Sequence, residues 1–135
     1  MTYKIIDIEG IGPVYAEKLV AAGIITAEDL LVKCAAPAGR KALAEETGIS
    51  DKLILTWTNH ADLFRVKGVG PQFAELLEAS GVDTVKELQH RNAANLAAKA
   101  LEVNEAKHLV RRVPVEIEFE RMIEFAKGLE GVMTY

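Results

Sequence analysis

The chain has 135 residues, half of them apolar, and carries 16 Lys and Arg against 20 Asp and Glu for a formal net charge of −4. A chain of this length can bury roughly two thirds of its unfolded surface in one domain, while its acidic balance argues against a protein that coats nucleic acid through bulk positive charge. The one cysteine, Cys34, excludes an internal disulfide or a cysteine metal cluster and fits a reducing cytoplasm.

The first element in the chain is a glycine turn, Ile8-Glu9-Gly10-Ile11-Gly12-Pro13, which also interrupts any signal-peptide-like apolar run. It returns at an offset of 58 positions as Val66-Lys67-Gly68-Val69-Gly70-Pro71. Beyond the proline, Ala16, Leu19, Gly23, Ile24, Thr26 and Leu30 recur as Ala74, Leu77, Gly81, Val82, Thr84 and Leu88 in unchanged register. Two copies are too few for an open solenoid and predict a pseudo-symmetric pair, repeat one over 1–58 and repeat two over 59–135, packed as one domain of 1–135. Glycine supplies the backbone freedom for a tight reversal, with Ile11 or Val69 plugged into the core.

Proline suits the first helical position, so helices are expected to start at Pro13 and Pro71 and to end at Gly23 and Gly81. Ala16, Leu19 and Val20, and in the second copy Ala74, Leu76 and Leu77, give their buried faces. Thr26 should cap a helix to Val32, and Thr84 with Glu87 has capping-box spacing. Pro37 and Gly39 are expected to break the chain before a helix over Arg40 to Thr47 that ends at Gly48. Ser50 then caps a longer helix to about Phe64. Asn92 and Asn104 are read as caps, and Pro114 separates the final helix.

In that final segment Val115, Ile117 and Phe119 alternate with glutamates, the period of a strand, yet no partner strand is available. Val115, Phe119, Met122, Ile123 and Ala126 keep helical spacing, so a helix to Leu129 is preferred. Trp57 to Ala61 has a loose echo in Met122 to Ala126. No stretch is long and apolar enough to span a membrane.

The pattern Gly-apolar-Gly-Pro within a helix, turn and helix resembles the helix-hairpin-helix motif, whose hairpin in many DNA repair and recombination proteins grips phosphates through backbone amides. The whole chain also resembles a family of small prokaryotic proteins catalogued only as a domain of unknown function. The matching stretches are Ile8 to Leu31, Gly39 to Asn59, Ala61 to Gly70, Leu76 to Asn92 and Leu109 to Pro114. That resemblance implies an all-α fold of two helix-hairpin-helix repeats with additional short helices, and it implies no chemistry. In the family a tryptophan often stands where Met122 is found here.

Exposed amides beside a helix start favour an anion, although the same turn can equally serve only to join two packed helices. The resemblance implies a lysine or arginine after the proline, but Val14 and Gln72 hold that place. Asp7 and Glu9 flank the first turn, whereas Arg65 and Lys67 flank the second. The second hairpin, Arg65, Lys67, Gly68, Val69, Gly70 and Gln72, is therefore the first candidate for phosphate. Gly10, Ile11, Gly12, Val14 and Lys18 form the weaker one. The resemblance further implies a potassium or sodium ion held by main-chain carbonyls of Ile8 and Ile11, or of Val66 and Val69.

His60, His90 and His108 lack the paired spacing of a transition-metal site. Ser50, Ser80 and Thr84 lie in capping contexts without a nucleophile motif. Tyr15 and Phe73 can stack on a base or pack against Leu19 and Leu77. The expectation is a cytoplasmic, non-enzymatic binding module for the DNA or RNA backbone. The alternative is a protein interaction adaptor or self-associating protein that uses its oppositely charged hairpins.

Overall fold

Capping and turn chemistry divide the chain into short helices that gain stability only by burying one face, since isolated helices of this length are marginal in water. In the computed structural model, which describes residues 3–135, these are α1 (Pro13–Ala21), α2 (Ala27–Cys34), α3 (Pro37–Thr47), α4 (Asp51–Leu63), α5 (Pro71–Ala79), α6 (Val85–Gln89), α7 (Ala93–Lys107) and α8 (Glu116–Lys127). A single 3-10 turn, Ile5–Asp7, precedes them. Among the described residues no strand is present, and the extended pairing is limited to one isolated antiparallel bridge between Lys4 and Thr26. The fold is all-α.

The chain forms two compact units: the first ends at Asp62 and regains Val132–Tyr135, and the second runs over Leu63–Gly131. In the first, Ile5, Ile8, Ile11, Leu19, Leu30, Leu43, Ile54 and Trp57 are buried, α1 contacts the 3-10 turn and α2 packs on α3. In the second, Leu63, Val66, Val69, Leu76, Leu77, Leu88, Leu96, Phe119 and Ile123 belong to one core, built where α7 and α6 pack on α8 and α5 packs on α7. Each fully buried leucine contributes roughly 1.5–3 kcal/mol by leaving water.

The expected starts at Pro13 and Pro71 are found, with each proline in the first turn behind a glycine N-cap. Both helices end in the same two-bond left-handed motif. Gly23 N–H donates to Val20 O and Ile24 N–H to Leu19 O at 3.0 and 2.9 Å, and Gly81 N–H donates to Glu78 O and Val82 N–H to Leu77 O at 3.0 and 2.8 Å. Thr26 and Asp29 form a complete capping box. Asp29 also accepts from Ile25 N–H, and these backbone donors, Thr26 first, hold its carboxyl below the usual range.

Several sequence expectations are corrected. Pro37 and Gly39 do not break the chain but form the first turn of α3. Gly39 is there because a Cβ at that position would lie 1.7 Å from Lys33 O, so only glycine lets α3 start against the end of α2. Asn104 lies inside α7, and its amide side chain donates to Val110 O and accepts from Val110 N–H, both at 3.0 Å, bracing the following loop instead of capping a helix. Thr84 accepts from Glu87 N–H, but the Glu87 carboxylate is held by Arg91 at 2.8 Å instead of completing the box. Val20 is 46% exposed and leaves the buried stripe of α1.

Gly39→Ala should destabilise the protein by about 1–3 kcal/mol or more, because the clash is with backbone that cannot rotate away; urea unfolding measures it, and an unchanged midpoint would contradict the close approach. Burial pushes the Cys34 thiol up to about 11, so it stays a protonated thiol at pH values where an ordinary cysteine begins to ionise. A disulfide reagent at about pH 8 should therefore leave Cys34 unmodified until denaturant is added.

Candidate functional site

The duplicated phrase folds twice into the same turn. Ile11 N–H donates to Ile8 O at 3.1 Å and Val69 N–H donates to Val66 O at 3.1 Å, closing four-residue reversals. The third residue of each, Gly10 and Gly68, has φ +93, a left-handed angle that side chains rarely adopt. Ile11 and Val69 are buried beneath the turns as their spacing predicts.

The second glycine of each phrase does something else. Gly12 and Gly70 have φ −87 and −106, ordinary values for any residue, and a Cβ at Gly12 would meet nothing within 4 Å. Both are N-caps that lack a side chain to accept from the helix. Proline brings no amide at the next position, so the N–H groups of Val14 and Tyr15, and of Gln72 and Phe73, have no acceptor within their own helices.

A bulky side chain supports each turn from below. The Trp57 Nε1 atom lies 3.3 Å from where a Cβ on Gly10 would stand, and Met122 Cε lies 4.0 Å from the corresponding point on Gly68. The faint sequence echo of Trp57 in Met122 is thus a shared position. Tyr15 meets the Trp57 ring edge-on at 5.1 Å, and Phe73 meets Phe119 at 5.9 Å while packing against the core cluster that contains Leu77.

The charged flanks are placed unevenly. Asp7 folds back to accept from Lys4 N–H at 3.0 Å, and Arg65 is half-buried with Nη2 donating to Glu130 O at 2.6 Å, so both members of the charge-reversed pair have bracing tasks. Lys67 and Gln72 are exposed on either side of the second turn, and Glu9, the counterpart of Lys67, is half-buried. On the first hairpin Val14 is 68% exposed and Lys18 is exposed along α1. Of the carbonyls considered for a monovalent ion, those of Ile8 and Val66 already accept the hydrogen bond that closes their turn.

The model of the family described as Domain of unknown function (DUF4332) matches residues 9–129. The chain belongs to that family. No match was found among curated proteins or among solved structures. The family match takes in the first turn from Glu9 onward, the whole of the second turn, Met122 and all of α8, so these features lie within the shared domain.

Other charged or titratable residues fall apart from the turns in sequence and on different elements. His60 is buried on α4, His90 follows α6, and His108 ends α7 with φ 51. Lys107 at the end of α7 and His108, Arg111 and Arg112 in the loop after it are all exposed, a basic run that charge spacing in the sequence could have revealed. Arg112 is bound bidentately by Glu118 at 2.9 Å through each nitrogen, a contact that lowers the Glu118 pKa. An open groove of about 320 Å³ lies between the start of α7 and α8, with Arg91, Glu120, Glu124 and Lys127 in its lining.

The first and second glycines of the repeated phrase should separate cleanly on substitution. Gly68→Ala is expected to cost about 1–3 kcal/mol through its left-handed angle, while Gly12→Ala should stay within roughly 0.5 kcal/mol. Thermal melts of both variants check this, and equal losses would refute the assignment of different tasks.

Proposed function

We propose that the chain is a non-enzymatic helix-hairpin-helix module that binds nucleic-acid phosphates without sequence specificity, through the second hairpin. The observation that carries this reading is the coincidence at one turn of exposed Lys67, exposed Gln72 and an α5 N-terminus that Gly70 leaves uncapped. Amides without acceptors and the positive end of the helix dipole favour an anionic oxygen there. Lys67 adds the charge that releases counterions, the main source of backbone affinity. Arg65 contributes by holding the turn against Glu130 O as much as by its charge. A monovalent cation between the turn and phosphate belongs to the same reading, as does a cytoplasmic setting.

A second reading, a protein interaction adaptor, is favoured by one observation on the first hairpin. There Val14 presents a 68% exposed apolar side chain immediately after the proline, beside half-buried Glu9. An apolar tip flanked by acid suits a protein surface better than a phosphate.

The two are separated by titration against duplex and single-stranded DNA over a range of salt. Under the first reading Lys67→Glu weakens binding equally for all sequences and flattens the log–log salt slope by about one, while Val14→Ala has little effect. Absence of measurable affinity for either DNA form even at low salt sinks the phosphate reading and leaves the adaptor.

A further inference from the structure

A buried guanidinium normally answers a carboxylate, because an unpaired charge is costly away from water. Arg40, in the first turn of α3, is only 7% exposed, and its fork is aimed instead at main-chain carbonyls. Nη1 donates to Cys34 O at 2.9 Å and to Ala35 O at 3.0 Å, and Nη2 donates to Thr134 O at 2.8 Å. The first two acceptors lie at the C-terminal end of α2, where the helix dipole is negative. What remains is a donor held ready for a carbonyl from elsewhere.

Segment 132–135 supplies it in the manner of a bound peptide. Thr134 is gripped at both main-chain groups, because its N–H donates to Ala35 O at 2.9 Å while its carbonyl receives Arg40. Its side chain is exposed and contributes no hydrogen bond to the grip. Met133, one position earlier, is 3% exposed and provides the apolar anchor. Tyr135 lies with its ring 5.6 Å from the Arg40 guanidinium carbon and its hydroxyl 3.3 Å from Asn59 Oδ1. Main-chain pairing with a pocket for an alternate side chain is how extended peptides are recognised at sheet edges. Here the end of a helix and one arginine take the place of the sheet edge.

We propose that the α2–α3 junction is a recognition site for an extended peptide with a buried apolar residue followed by a main-chain clamp, and that its occupant in this chain is segment 132–135, bound in cis and able to detach. Because the clamp uses main chain at Thr134, the site tolerates any side chain there and selects chiefly at the position of Met133.

The test uses the full chain and residue-resolved hydrogen exchange. Met133→Ala should lower protection of the Thr134 amide about tenfold or more while leaving the Ile54 amide of α4 unchanged, since the truncation lies in the segment and not in α4. Arg40→Lys should do the same by removing the fork. A blocked Val-Met-Thr-Tyr peptide, added at roughly millimolar concentration to match the effective concentration of a tethered segment, should shift the Ala35 and Arg40 resonances of Met133→Ala saturably. Three results overturn the proposal. Thr134 and Ile54 protection falling together would make the segment part of the core; no peptide-induced shift would mean there is no site for a free ligand; a concentration-dependent dimer dispersed by the peptide would place the occupant in a second copy.

Discussion

At Gly10 and Gly68 the backbone passes through φ +93, and the geometry of each hairpin depends on that angle. It lets Ile8 O and Val66 O receive the amide three residues on, turns Ile11 and Val69 inward, and delivers the following glycine and proline in position to start a helix. A side chain at the first glycine would strain the reversal, and the helix start, its open amides and the neighbouring charges would shift with it. The second glycine is under no such strain. Its value is the side chain it lacks, since a serine or aspartate cap would occupy the amides that the proposed phosphate requires.

Much of the fold was legible because the relevant signals are local. The starts at Pro13 and Pro71, the ends before Gly23 and Gly81, and the caps at Thr26, Thr84 and Asn92 depend on a few adjacent residues whose chemistry has one good solution. The errors arose where a residue answers to something distant. Gly39 resembles a breaker until the Lys33 carbonyl is seen against it, and Asn104 resembles a cap until the loop at Val110 returns to it. At the candidate site, the sequence identified both turns and their charge reversal but not which glycine is strained. Nor could it show that Asp7 and Arg65 are held by Lys4 N–H and Glu130 O. Those partners are main-chain atoms, and main-chain atoms carry no sequence signature.

The supports beneath the two turns differ in kind. Trp57, with Tyr15 against it, backs Gly10, whereas thin and flexible Met122 backs Gly68. A rigid indole fixes a turn more firmly than a thioether, which adapts to its surroundings. The better supported turn is the one with acidic flanks, and the more adaptable one carries Lys67.

The return of segment 132–135 to the first unit also bears on the order in which the protein is made. Arg40 and Thr134 stand 94 positions apart, so the bond between them closes a loop that contains the whole of the second unit. Loop closure over such a separation costs entropy before any contact repays it. During synthesis the Arg40 fork of the first unit stays unsealed until the second unit, and then segment 132–135, have followed it out of the ribosome.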